Sequence, residues 1–171
     1  QCWLERAVIG LNLCPFAKAV HGKGQIRWVL SEARDPETLL ADLVRELQFL
    51  AAADPQDVET TLLVHPQVLA DFLDFNDFLD LAEAALVELG LEGMLQIASF
   101  HPRYQFADSD PDDITNHTNR SPHPTLHLLR EDSVERAVAT EGGDAEAIVE
   151  RNLATLRALG ADGLRALLEK P

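Results

Sequence analysis

The sequence predicts an α/β domain in which a mixed sheet of about four strands is flanked by helices, in two or three layers. Three observations carry this. Helical and strand-like apolar periodicities alternate from Trp3 to Phe100. Two short β-rich runs end alike, TLLVHP at 61–66 and IASFHP at 97–102. A polar segment of more than twenty residues separates the last of these from one further strand-like run. A segregated α+β arrangement is the neighbouring alternative.

Taken in order, Trp3, Ala7, Leu11 and Cys14 recur at helical spacing and predict an opening helix, interrupted or restarted near Pro15. GKG at 22–24 breaks it, and Gln25–Ser31 alternates polar and apolar residues as a first strand. Asp35-Pro36 is an N-cap followed by proline at the first helical position. Leu39, Leu40, Leu43, Val44, Leu47 and Leu50 then form one face of a second helix. Glu59–His65 is a second strand whose LLV run predicts burial on both faces.

Phe72, Phe75, Leu79, Ala82, Leu86 and Leu89 predict a third helix over 70–89, stopped by Gly90. Met94–Phe100 is a third strand and Thr125–Arg130 a fourth. Beyond Asp132 the pattern is helical, with a break at Gly142-Gly143, Asp144 as the next N-cap, and a last short helix ending near Lys170. Two successive βαβ units predict that the first three strands are mutually parallel; the fourth, reached through a loop, is more easily antiparallel. Residues 1–171 are expected to form a single domain. The start at Gln1 rather than Met raises the expectation that residues precede it.

Composition narrows the function. With 14 basic against 29 acidic residues the net charge is −15. A nucleic-acid or anionic-membrane partner, which needs a basic face to displace counterions, is therefore not expected. No apolar run reaches the ~20 residues that span a bilayer, and no leader pattern opens the chain, so the expectation is a cytoplasmic protein. Cys2 and Cys14 form neither a CxxC pair nor a disulfide framework. Oligomeric state and cofactor are not legible.

Chemistry concentrates in the segment 101–124, longer than an ordinary connection. His65 and His101 close two parallel strands, at the sheet edge where ligands gather in α/β folds. An antiparallel fourth strand would bring His127 to the same edge. His101 and His127 are thus candidate acid/base groups, and Cys14 a candidate nucleophile. Arg103, Arg120, Asn116, Asn119, Ser121 and His123 are candidate substrate-binding residues, Arg120 being suited to gripping a carboxylate or phosphate. His65, His101 and His127 would be the ligands if a metal were bound. The plainer alternative is that Asn116 and Asn119 make turns and caps for the loop itself. DSDPDD at 108–113 lacks the glycine and the terminal glutamate of an EF-hand and is expected to be a solvated turn. Between Arg6 and Ser31 there is no acid but there are four bases, an electropositive island suited to an anionic ligand.

The motifs LCPFA (13–17), FHPRYQF (100–106) and TNRSPHPTLHLLREDSV (118–134) resemble a bacterial family catalogued as domain of unknown function 1415. The resemblance covers almost the whole chain and implies a cytosolic protein, with no reaction, ligand or catalytic residue to carry over. Three functions stay open: a small-molecule enzyme acting on an anionic metabolite by His/Arg acid–base chemistry, with or without a Cys nucleophile; a non-catalytic ligand-binding or interaction module; and a His-ligated metal enzyme.

Overall fold

A computed structural model describes residues 2–169; the expected end of the last helix near Lys170 lies outside the described residues. After a π-helix at Leu4–Ile9 come α1 (Pro15–Gly22), β1 (Ile26–Leu30), α2 (Pro36–Ala52), β2 (Thr60–Val64), α3 (Phe72–Glu88) and β3 (Leu95–Phe100). A 3₁₀ helix (Ile114–Thr118) lies inside the long loop, followed by β4 (Thr125–Arg130), α4 (Glu131–Thr140) and α5 (Ala145–Glu169), which is kinked at Gly160. The opening helical pattern is thus split: Pro15 restarts the chain as α1, with Cys14 at its N-cap position.

Local chemistry sets the ends of the central helices. Asp35 accepts the Thr38 N–H at 2.8 Å ahead of Pro36, and Asp71 accepts the Leu73 N–H at 2.9 Å, each satisfying one of the unpaired amides of a first turn. Asp144 does the same for α5, toward Glu146 and Ala147. Gly90, at φ +66°, takes the left-handed conformation that ends α3.

The sheet order is β1-β2-β4-β3. β1 and β2 pair in parallel, whereas β4 lies antiparallel to both β2 and β3. The expected run of three parallel strands is therefore not formed: β4 inserts where the second parallel pairing would have been, and among the described residues β1–β2 is the one parallel pair. The reason is the connection after β3. A loop rather than a crossover helix returns the chain from the end of β3, so β4 enters from that edge and runs back between its neighbours.

One face of the sheet presents Leu63, Leu95, Leu126 and Leu128 to α2 and α3, where Leu39, Leu43, Leu47, Leu50 and Phe75 are fully buried. The opposite face carries Leu129, Ile26 and Ala98 against Phe16 and Val20 of α1 and Val134 of α4. Helices therefore flank both sides. Glu46 of α2, 2% exposed, is held by Arg27 of β1 at 2.7 Å, and that guanidinium lies 4.1 Å from the centre of the Phe49 ring. Among the described residues no helix is long and apolar enough to cross a membrane.

Arg130, at the end of β4, is buried and directs Nη2 to the carbonyls of Leu50, Ala53 and Val58 at 2.8, 2.8 and 3.1 Å. These carbonyls belong to the last turn of α2 and the chain leaving it. The guanidinium thus sits at the negative end of the helix dipole and satisfies oxygens that α2 leaves unpaired. Arg130→Met, which keeps the volume and loses the donors, is expected to cost on the order of 2–4 kcal/mol in urea unfolding.

Candidate functional site

The strand ends bring His65 and His101 together but leave His127 apart. His65 continues the face of Leu63, and Leu63 is in register with Leu126. His127, one residue on, must point to the other side of the sheet. His65 and His101 accordingly both pack on Phe75 of α3, with ring centroids 5.7 and 5.1 Å from it, while His127 packs on Phe100 at 6.2 Å. Among the described residues no group of three or more His, Cys, Asp or Glu side chains is placed to hold a metal.

His65 and His101 are fully buried. His65 Nδ1 donates to the Val68 carbonyl at 3.2 Å, and its Nε2 has no partner. His101 Nδ1 accepts the Arg103 N–H at 3.0 Å, which leaves Nε2–H to donate to the Leu69 carbonyl at 3.2 Å. The two imidazoles thus hold the turn 66–71, where Leu69 stands at φ +56°. His127 is fixed by a similar chain of reasoning. Thr60 Oγ1 donates its one hydrogen to the Leu128 carbonyl at 2.6 Å, so His127 Nε2–H donates to Thr60 Oγ1 at 2.8 Å.

Burial, above all other causes, pushes the pKa of both His65 and His127 down to about 4, and lowers that of His101. All three are neutral at pH 7.

The long loop is tied to itself and to the sheet. Asn116, fully buried, accepts the Phe106 N–H and the Ser109 hydroxyl through Oδ1 and donates to the Asp110 carbonyl through Nδ2, at 3.0, 2.8 and 2.9 Å. Asn119 donates to the Ser99 carbonyl of β3 at 3.1 Å, and its own carbonyl accepts the His101 N–H. Ser121 donates to the His123 carbonyl, and the His123 side chain is exposed. Arg103 is exposed as well, paired to Asp71 at 3.1 Å and bonded to the Ala70 carbonyl. Asp113 caps the 3₁₀ helix by accepting the Thr115 N–H at 2.8 Å.

Arg120 is the exception in character. Half-buried, it bonds the Tyr104 carbonyl through Nε at 3.0 Å, the Pro111 carbonyl through Nη2 at 2.6 Å and His117 Nε2 through Nη1 at 3.4 Å. Among the described residues it forms no ion pair with a carboxylate. Burial pulls its pKa down, and burial followed by the Arg120 charge lowers that of His117. Both line a cavity of about 330 Å³ between the loop, the π-helix and α5, where Arg6 also contributes and Leu11, Leu13 and Leu156 supply an apolar wall. His117 is not among the binding residues expected from the sequence, and Arg6 is expected only as one base of the electropositive island. The signal for His117 was its place three residues before Arg120, near the end of the 3₁₀ helix, and for Arg6 its place in the electropositive island.

Cys14 lies in a neighbouring cavity of about 290 Å³ with Phe100, Phe106, Asn119 and Asn152; Leu13 borders both. Its walls draw on all three sequence motifs. Burial raises the Cys14 pKa, outweighing the amides of Ala17 and Phe16 at the start of α1, which act to lower it. The thiol is therefore protonated at neutral pH. The structure thus places Cys14 with Asn119, and Arg120 with Ser121, in adjoining cavities. It leaves Arg103 and His123 on the surface, and encloses Asn116, His65 and His101.

The molecule is thus an α/β protein with a four-stranded mixed sheet, helices on both faces and a braced polar loop bordering two cavities. The chain belongs to the family described as protein of unknown function (DUF1415), whose model matches residues 1–166. Comparison with curated proteins and with solved structures returned no match.

The histidine shifts have a consequence for stability. Because the folded values are lowered, the unfolded chain takes up protons first. The full contribution is present above the ordinary histidine value near 6.5 and is lost as pH falls toward about 4. Each of His65 and His127 is expected to cost on the order of 2–4 kcal/mol across that window. In urea titrations at both ends of the window, His127→Gln should remove its share of the slope.

Proposed function

We propose that this protein is a small-molecule enzyme acting on an anionic metabolite with an apolar body, seated between the long loop, the π-helix and α5. One observation carries the reading: Arg120, a half-buried cation bonded only to carbonyls and a neutral imidazole, faces a cavity whose other wall is leucine-rich. The Asp112 carboxylate acts on this guanidinium only from beyond ion-pair distance, and burial outweighs it; a carboxylate or phosphate head in the cavity would supply a direct counter-charge.

The neutral His117 beside it is the proton acceptor in this reading, its imidazole lining the cavity and exchanging its Arg120 contact for the substrate proton when the guanidinium turns to the anion. Proton transfer is assigned to His117 because it lines this cavity, whereas His101 has both ring nitrogens bonded to the protein and His127 lies outside the cavity. A second reading, a non-catalytic binding module, is favoured by the density of bonds within the loop, which keeps its polar groups occupied.

Isothermal titration with short branched or aromatic carboxylates and with phosphate monoesters tests the site. Saturable binding is expected, weakened at least about tenfold in Leu11→Trp, which narrows the apolar wall, and in Arg120→Gln. Retention of full affinity in both variants would remove the proposal. His117→Ala separates the readings: an enzyme keeps affinity and loses turnover by about a hundredfold or more, whereas a module keeps its affinity and has no turnover to lose.

A further inference from the structure

At the opposite edge of the sheet, where β1 and β2 begin and β4 ends, a cavity of about 480 Å³ opens between α1 and α4. Phe16, Val20 and Ala137 give it an apolar wall, and Lys23 stands at its mouth. Two polar residues in its lining are almost wholly buried, Glu59 at 9% and Ser133 at 3% exposed. The Ser133 hydroxyl donates to Glu59 Oε1. Arg136 Nη2 donates to the same Ser133 oxygen at 2.8 Å and stands 3.5 Å from Glu59 Oε1.

This arrangement goes beyond anchoring a helix. A serine hydroxyl becomes a nucleophile when a base takes its hydrogen, and here the hydrogen already points at a carboxylate. The Arg136 guanidinium, which donates to the same oxygen and lines the same cavity, is placed to stabilise the negative charge that develops on an acyl carbonyl attacked there. The cavity supplies the space that a purely internal brace does not need.

We propose that Ser133 is the nucleophile of a second site, with Glu59 as its base, acting on a small carboxylic ester that bears an anionic group. The ester's body rests on Phe16 and Val20, and Lys23 meets its charge. Glu59 takes the Ser133 proton as Oγ bonds to the acyl carbon. The bond to the alcohol breaks, and the departing alkoxide takes the proton back from Glu59. Water then attacks the acyl-serine, passing one proton through Glu59 to Ser133 and releasing the acid. The site is separate from the Arg120 cavity and stands or falls without it.

A fluorophosphonate probe tests this directly: attack by Oγ forms a P–O bond and expels fluoride, leaving a stable adduct. Peptide mass spectrometry of the native chain is expected to find that adduct on Ser133. Glu59→Gln should slow labelling by on the order of a hundredfold, and Ser133→Ala should abolish it at that peptide. Absence of a Ser133 adduct in the native chain, which depends on no variant folding, overturns the proposal. So does labelling that occurs only after unfolding in urea, or at an unchanged rate in Glu59→Gln.

Discussion

The insertion of β4 between β2 and β3 is the constraint on which the rest of the molecule depends. Five of its six residues, 125–129, pair on both sides, and Arg130 pairs with β3 alone, so β4 joins the parallel β1–β2 pair to β3. Its side chains then serve two cores at once. Leu126 and Leu128 face α2 and α3, while Leu129 faces α1. Arg130 reaches past the strand end to the carbonyls that close α2. Thr60 and His127 add a side-chain bridge from β2 to β4.

That insertion also explains why the loop before β4 is long and why it is ordered. The chain must leave β3, turn, and re-enter the sheet at Thr125, beside Val64 and Phe100. On the way its backbone crosses buried ground, and each amide and carbonyl there needs a partner. Asn116, Asn119 and Arg120 provide them, as side chains that imitate the backbone bonds a helix or strand would have made. The same residues that look like a binding set are thus the internal scaffold of the loop. What distinguishes Arg120 is electrostatic: carbonyls satisfy its donors without neutralising its charge.

The histidines show the same division between partner and position. His65 and His101 end strands in identical His-Pro steps, and both are drawn inward against Phe75, where desolvation holds them neutral. Their hydrogen bonds hold the turn that leads into α3, a structural service rendered by groups whose chemistry near neutral pH suggested catalysis. Glu59, Ser133 and Arg136 come from a strand start and two positions on one helix turn, none of them marked by sequence as a site residue. No spacing rule links a residue before β2 to one after β4, so their meeting could not be read from the chain.

Most element positions were legible because their determinants are local. Apolar period, an Asp cap before proline, and a glycine able to adopt positive φ located α2, β2, α3, β3, β4 and the start of α5 to within one or two residues. The sequence by itself also determined the acidic balance and the presence of a long polar segment. Pairing was another matter, because which strand lies beside which depends on contacts between residues far apart in the chain. Tertiary structure alone decided that β4 displaces a parallel neighbour, and strand parity then set His127 on the face away from His65 and His101. It alone decided which cations kept an accessible charge and which hydroxyl met a carboxylate, since burial and encounter are properties of the packed whole.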